Sequence, residues 1–495
     1  MKKIIALFLA LISSLTLVAC GDKTKPTDDK PSNGGVQVNP NATVIKYCTW
    51  SFGTEEENNM TRRLVAEFNK THSDIQIEIV VPDGDYDTFL TTMASGRNLP
   101  DVFMVNSVPT AVINYLAGDI TDVATADPEW ATIDAALRES ITYNNRIFGI
   151  PCGQYYMGFF ANYTLIDNYL PAGSQDASIA FAPGNFTTEQ FISTVKNVKK
   201  IDVEDQTGVI GINATGDMIN WLPSTLDETG KTGHFVWNAE TKSFGYTSQI
   251  MYDALTMINE LGDRKAKYTF EAVMADDTEN KIFGTGDSNA AFINGQLGFI
   301  QSGTWATYEN SDVLDYHFVA YPDSTVVSAS DYMCISRSTK NKAAAYEVAK
   351  YLSFGVEGTN ARFSIIDANP KAGLSVQGLP VVNNEEIADK WFEYVTLDGA
   401  QEVYEGVVAG EIKLLVEGNK SIPGFQDARF LGSTGLSYED VRGGAVLNMS
   451  DFIWDVCGGQ ISVSTYQSDF TSELAGKMNK YVSDAYAKIE EVVNK

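Results

Sequence analysis

Histidine is nearly absent from this chain: three in 495 residues, His72, His234 and His317, far apart from one another. Cysteine is hardly commoner, with five, and no pair falls in a Cys-x-x-Cys spacing. These shortages remove the residue sets from which zinc and redox centres are usually built, so neither a metal nor a cofactor is expected. Positive charge is scarce too. Against 64 Asp and Glu stand 36 Lys and Arg, a net charge of −28. Such a balance repels phosphate backbones and argues against a nucleic-acid partner. It mildly disfavours an acidic ligand, and a neutral one is easiest to reconcile with it. No Gly-x-Ser-x-Gly elbow is present, and no repeat of solenoid length. "TGKT", Thr229 to Thr232, lacks the first glycine of a phosphate loop because position 225 is Thr. "DGDYD", Asp83 to Asp87, starts like a calcium loop but has Thr88 and Ala94 where that loop needs a glycine and an acid. It reads as a turn and helix N-cap.

Long apolar runs are absent with one exception, Ile4 to Val18, which follows Lys2 and Lys3. A membrane-spanning helix needs roughly 20 apolar residues. This run is shorter and interrupted by Ser13, Ser14 and Thr16, the layout of an export signal. Its end, Leu17, Val18, Ala19 and Cys20, resembles the lipobox of bacterial lipoproteins. The resemblance implies removal of residues 1–19, a lipid on the Cys20 sulfur, and attachment to the extracytoplasmic face of a bacterial cell membrane through that lipid alone. Loss of Lys2 and Lys3 makes the net charge −30. Residues 20–42 are rich in Pro, Gly, Asp, Lys and Ser and form a tether that cannot bury a core. The remaining cysteines, Cys48, Cys152, Cys334 and Cys457, read as free thiols, with Cys48 and Cys334 in apolar, strand-like runs.

What the chain does have is a globular composition, 44% hydrophobic and 11% aromatic, long enough for two or three cores. "TVIKYCTW", Thr43 to Trp50, predicts a buried strand, and "TEEENNMTRRLVAEFNKTHS" an amphipathic helix with an acidic first turn and Met60, Leu64, Val65 and Phe68 on one face. "DIQIEIVV" alternates as a half-buried strand, "YDTFLTTMASG" is a second helix, and "PDVFMV" a third strand. Alternating strands and helices predict an α/β fold with a parallel sheet. The pattern recurs after Gly149, with a helix capped by Thr187 or Thr188, and the stretch from about Tyr438 onward reads as mostly helical.

Several of these stretches, in order, resemble the extracellular solute-binding proteins of ABC importers, the family that contains maltose-binding protein. "TVIKYCTW" with its helix resembles the opening of that family, and "ASGRNLPDVFMV" its "asG..PDv" segment. "IFGIPCGQYYMGFFANYTLI" resembles the crossover into the second lobe, and "AAFINGQLGFIQSGTW" the "F..G.aaM...G.W" segment. "YHFVAYP" and "CISRSTKNKAAAYEVAKYL" resemble the return strand and following helix. The similarity runs from Thr43 to Leu352; beyond Phe354 it is loose. It implies a periplasmic-binding-protein-like fold of two α/β lobes with a hinge and an interlobe ligand cleft. Lobe 1 would comprise 43–149 plus 329–375, and lobe 2 150–328 plus 376–495. Crossings would fall near Ile147 to Gly153, Tyr321 to Cys334 and Gly373 to Val381. It further implies a monomer that captures a carbohydrate, an oligosaccharide, and delivers it to the membrane subunits of an ABC permease.

A sugar presents apolar C–H faces and many hydroxyls, so its site needs aromatic rings beside short polar side chains at strand ends. Trp50 ends the first strand and Glu55 follows it. Asn106 and Ser107 follow "PDVFMV", whereas Asp101 reads as a loop-ordering residue. Tyr155 and Tyr156 stand at the first crossing. Asp217 and Trp221 share a face if their stretch is helical. Trp305 follows Gly303, whose lack of a side chain permits close approach, and Asp331 and Tyr332 lie where the chain returns. Trp391 and Trp454 read as core. Two rivals compete with this reading. A tyrosine pair for iron is weakened because adjacent strand residues face opposite ways. A lipid-anchored glycoside hydrolase would need two paired carboxylates, a signal without specificity among 64 acids.

Overall fold

A computed structural model of the chain describes residues 39–53, 59–182, 185–306, 308–429, 438–439, 446–447 and 449–494. The export signal, Cys20 and most of the tether lie outside the described residues, as does Glu55.

The first sheet is built as the apolar pattern predicts. β1 (Thr43–Cys48) pairs in parallel with β2 (Ile75–Ile79) and β3 (Val102–Val105). Between them run α1 (Met60–Thr71), which buries Met60, Leu64, Val65 and Phe68, and α2 (Tyr86–Ser95), capped by Asp85. The cap of α1 is Asn59, so the acidic residues expected in its first turn precede the helix. Asp101 orders its loop, accepting hydrogen bonds from the Lys46 amide at 2.9 Å and the Thr339 hydroxyl at 2.6 Å. β4 (Ile150–Gly153) adds to this sheet, so residues 150–153 belong with lobe 1 rather than lobe 2.

The chain then enters a second sheet. β5 (Tyr156–Asn162) is followed by β6 (Lys199–Asp202), β7 (Thr207–Ile212), β8 (Leu297–Gly303), β9 (Tyr316–Val319) and β10 (Thr325–Ser328). β11 (Asp331–Ile335) returns to the first sheet, which has the order β2-β1-β3-β11-β4. α3 (Val356–Ala368) packs on α1, and β12 (Lys413–Val416) completes the second sheet in the order β12-β10-β5-β8-β7-β6, with β9 also on β5. This sheet is mixed: β7 and β8 are parallel, whereas β5 runs antiparallel to β8, β9 and β10. Strand periodicity alone does not reveal direction, which depends on connection length. Successive β5 residues serve opposite faces. Phe159 and Ala161 enter one core, and Tyr156 and Phe160 the other.

Crossing segments lie side by side. The Ala329 amide donates to the Tyr155 carbonyl at 2.9 Å, and the Leu379 amide to the Gln154 carbonyl at 2.7 Å. Short helices, Gly418–Ser421 and Phe425–Arg429, follow β12, and further on come α4 (Met449–Cys457) and α5 (Ser472–Val493). Ala475, Met478 and Val482 of α5 belong to the core of the second sheet, but Ile489, Val492 and Val493 belong to that of the first. Val381, Val382, Ile387 and Trp391 also join the first core. The expectation that all of 376–495 lies in lobe 2 is therefore corrected. A helix of this length passes from one core to the other, which no local pattern signals. Among the described residues no helix is long and apolar enough to cross a membrane.

Candidate functional site

The loop after β1 carries Trp50, 37% exposed, whose ring meets Tyr86 edge to face at 5.2 Å. Tyr86 is itself fixed, its hydroxyl donating to the Cys48 and Met104 carbonyls at the ends of β1 and β3. Trp50 and Ser51 form one wall of a cavity of about 160 Å³ whose other walls come from the crossings: Cys152, Gly153 and Tyr155, then Asp331, then Gln377. Arg362 of α3 lines it as well.

Tyr155 is half-buried and faces this cavity, while its neighbour Tyr156 is 1% exposed in the second core. The same alternation divides Asp331 from Tyr332. Asp331 lines the cavity 3.5 Å from the Lys420 ammonium. Tyr332 is fully buried, its hydroxyl 3.1 Å from Ser140 Oγ. Tyr156 and Tyr332 are thus core residues, because an extended backbone turns adjacent side chains to opposite faces.

From the second sheet comes Trp305, 51% exposed just beyond β8. Its ring meets Tyr155 edge to face, centroids 6.0 Å apart. A Cβ on Gly303 would come within 2.2 Å of that ring, so only glycine lets the indole lie there. Asn106 is exposed beyond the end of β3 but does not line the cavity.

Asp217 and Trp221 separate. Gly216–Asn220 is a 3₁₀ turn, and at three residues per turn positions four apart do not share a face. Asp217 remains exposed, whereas Trp221 is fully buried and stacked on Tyr321 at 4.6 Å. The aromatic beside Asp217 is instead Trp454 of α4, read as core from the sequence but 36% exposed, its ring pressed against Gly216. Contact through a backbone with no side chain leaves no periodic trace. Beside this turn a hollow of about 420 Å³ opens among Thr215, Glu271 and Gln460. Trp391 is core, its indole N–H donating to the Gly378 carbonyl at 2.8 Å.

The electrostatics are those of a partly dehydrated polar floor. Burial raises the Asp331 carboxyl above its ordinary range, opposed by the Lys420 charge. Burial likewise raises Glu417, opposed by Lys420 and Arg429. The Tyr155 hydroxyl is pushed up to about 12 by burial and then by Asp331, so it stays protonated and can donate. Arg362, Gln377 and Lys420 leave no mark in the sequence pattern, since single polar residues in helices and loops carry no spacing signal. Among the described residues no group of His, Cys, Asp and Glu converges to hold a metal ion. The cavity brings together aromatic faces, the Asp331 carboxylate and the Arg362 guanidinium, which suits capture of a polar molecule with apolar faces.

The model of a family described as bacterial extracellular solute-binding protein matches residues 63–377. The melibiose/raffinose/stachyose-binding protein of Bacillus subtilis is 24% identical over 200 residues, 40% of this chain and 41% of that relative. Among solved structures, an ABC substrate-binding protein from Listeria monocytogenes in complex with cycloalternan aligns over 89% of this chain and 98% of its own at a TM-score of 0.59, with 17% identity. A cyclic alpha-maltosyl-1,6-maltose binding protein from Arthrobacter globiformis aligns over 89% and 99% at 0.57, with 14% identity. These likenesses establish a two-lobed α/β fold shared with sugar-binding proteins. With the family model spanning most of its length, the chain belongs to the bacterial extracellular solute-binding proteins.

Proposed function

We propose that this protein is the receptor of an ABC importer, held by a lipid on Cys20 at the extracytoplasmic face of the cell membrane. It captures a carbohydrate, an oligosaccharide, in the cleft and passes it unaltered to the transmembrane subunits of the permease. It works as a monomer, without a cofactor, and catalyses nothing.

One observation carries the reading: Trp305, exposed just beyond a strand of the second sheet, meets Tyr155, which lines a cavity walled also by Trp50 and Asp331. Aromatic faces from both halves flank a carboxylate, the combination a pyranose needs. The ligands named for the relatives, melibiose, raffinose and stachyose for one and cycloalternan for another, support the same class. Closure about the crossings would bring the halves together on the ligand and present a closed shape to the permease.

A thermal-shift screen of the purified chain against a panel of oligosaccharides tests this. A ligand that binds only the folded form raises the unfolding midpoint. Release of reducing ends from any of them would favour a glycoside hydrolase instead.

A further inference from the structure

The cavity floor holds a buried cation, and no carboxylate among the described residues forms an ion pair with it. Arg362 is 5% exposed, and a guanidinium cannot shed its proton under physiological conditions. The groups that act most on its charge are Tyr155, Tyr47, Cys152 and Tyr351, all neutral at pH 7, and the Trp391 ring centroid lies 5.7 Å from its guanidinium carbon. Its hydrogen bonds run to the Val376 carbonyl at 3.1 Å, and to Gln377 Oε1 and the Leu352 carbonyl at 3.4 Å. These fix the plane of the group without neutralising it, and Nε–H has no partner. A charge taken out of water without a counter-ion is strongly destabilising, and buried charges are ordinarily paired.

We infer that the missing counter-ion is supplied by the ligand: the cavity lined by Arg362, Trp50 and Tyr155 is a subsite for a carboxylate, and the saccharide captured is an acidic one, entering with a uronic-acid residue. This rests on the carbohydrate reading above and narrows its substrate class. A cavity of about 160 Å³ is the size of one that holds a single six-membered ring, so it admits the acidic residue but not a whole oligosaccharide. The remainder extends toward Trp305. Arg362 lines the cavity, and a guanidinium engages a carboxylate through short, charge-assisted bonds. Asp331, on another wall, does not cancel this attraction, because Lys420 stands 3.5 Å from it. The acidic surface is no obstacle either. Exposed charges beyond a Debye length of about 8 Å are largely screened, whereas a buried cation acts at contact.

Calorimetric titration of the full folded domain decides the matter. The probes are trisaccharides ending in glucuronic, galacturonic or mannuronic acid, each beside its methyl ester, with acetate and citrate as acids that are not sugars. At least one free acid is expected to bind ten times more tightly than its ester, with affinity falling as salt rises. Arg362→Gln brings that ratio toward one, and Arg362→Lys retains part of it. If Arg362→Gln does not fold, the wild-type ratio and its salt dependence decide alone. Esters or neutral oligosaccharides binding as tightly as the acids would overturn the inference and leave the carbohydrate reading standing. Acetate or citrate competing at the affinity of the uronates would overturn its saccharide half. Binding of no glycan at all would overturn both.

Discussion

The ring of Tyr155 meets that of Trp305 edge to face, centroids 6.0 Å apart and planes inclined at 70°. One ring belongs to a crossing strand, the other to the carboxyl end of a strand in the second sheet, so the pair joins hinge to cleft. A stacked sugar would use the open face of Trp305. Trp305→Ala should weaken oligosaccharide binding tenfold or more, about 1.4 kcal/mol, with the unfolding midpoint nearly unchanged because the ring is half exposed. Titration calorimetry and a thermal melt check both halves; unaltered affinity removes Trp305 from the site.

Gly378 shapes the same region from behind. It has φ of 80°, and a Cβ there would lie 2.6 Å from the Gln154 carbonyl oxygen and 3.1 Å from the Tyr155 ring. Left-handed backbone costs an alanine roughly 1 kcal/mol or more before any clash is counted. Gly378→Ala should therefore lower stability in urea and weaken ligand binding by displacing Tyr155. Loss of stability at full affinity would show that the position of Tyr155 does not matter.

Trp221 is the counterpart to Trp305. Fully buried, it stacks on Tyr321 and packs edge-on to Phe159 at 5.8 Å. Trp221→Ala should destabilise the fold by about 3–5 kcal/mol, read as a lower urea midpoint. Below that midpoint, affinity should stay close to that of the unmodified chain.

These residues show what the sequence made legible. The apolar face of α1 and the strands around it follow from period alone, because burial on one side imposes a repeat. Trp50, Tyr155, Trp305 and Asp331 stand at strand ends, where binding side chains collect, and the cavity draws most of them together. Tyr156 and Tyr332 face the cores instead, because alternation says that neighbours diverge, not which one points inward. Trp221 depended on an α-helical turn that proved to be 3₁₀. Arg362, which lines the cavity, and Lys420, which meets Asp331, come from distant segments whose placement is a tertiary fact. The same holds for α5, whose two ends serve different cores.

His234 makes a pH prediction. It is 4% exposed, and its Nδ1 accepts from the Gly418 amide at 3.3 Å. Burial, and then the charge of Arg429, pull its pKa down to about 3 from the usual 6.5. Between these values the unfolded chain binds the proton and the folded one does not, so stability falls as pH falls from about 6.5 toward 3. The slope from this group is up to about 1.4 kcal/mol per pH unit. His234→Gln should flatten that part of the stability curve relative to the unmodified protein. Parallel curves for the two in urea unfolding between pH 7 and pH 4 would contradict it.

The central claim is that two hinged halves grip an oligosaccharide and release it unchanged. Tryptophan fluorescence titration with the best ligand from the thermal screen, followed by mass spectrometry of the recovered glycan, tests it most directly. The account predicts a saturable shift that Trp305→Ala diminishes, and a glycan of unaltered mass. A shortened glycan, or no saturable shift with any oligosaccharide, would contradict it.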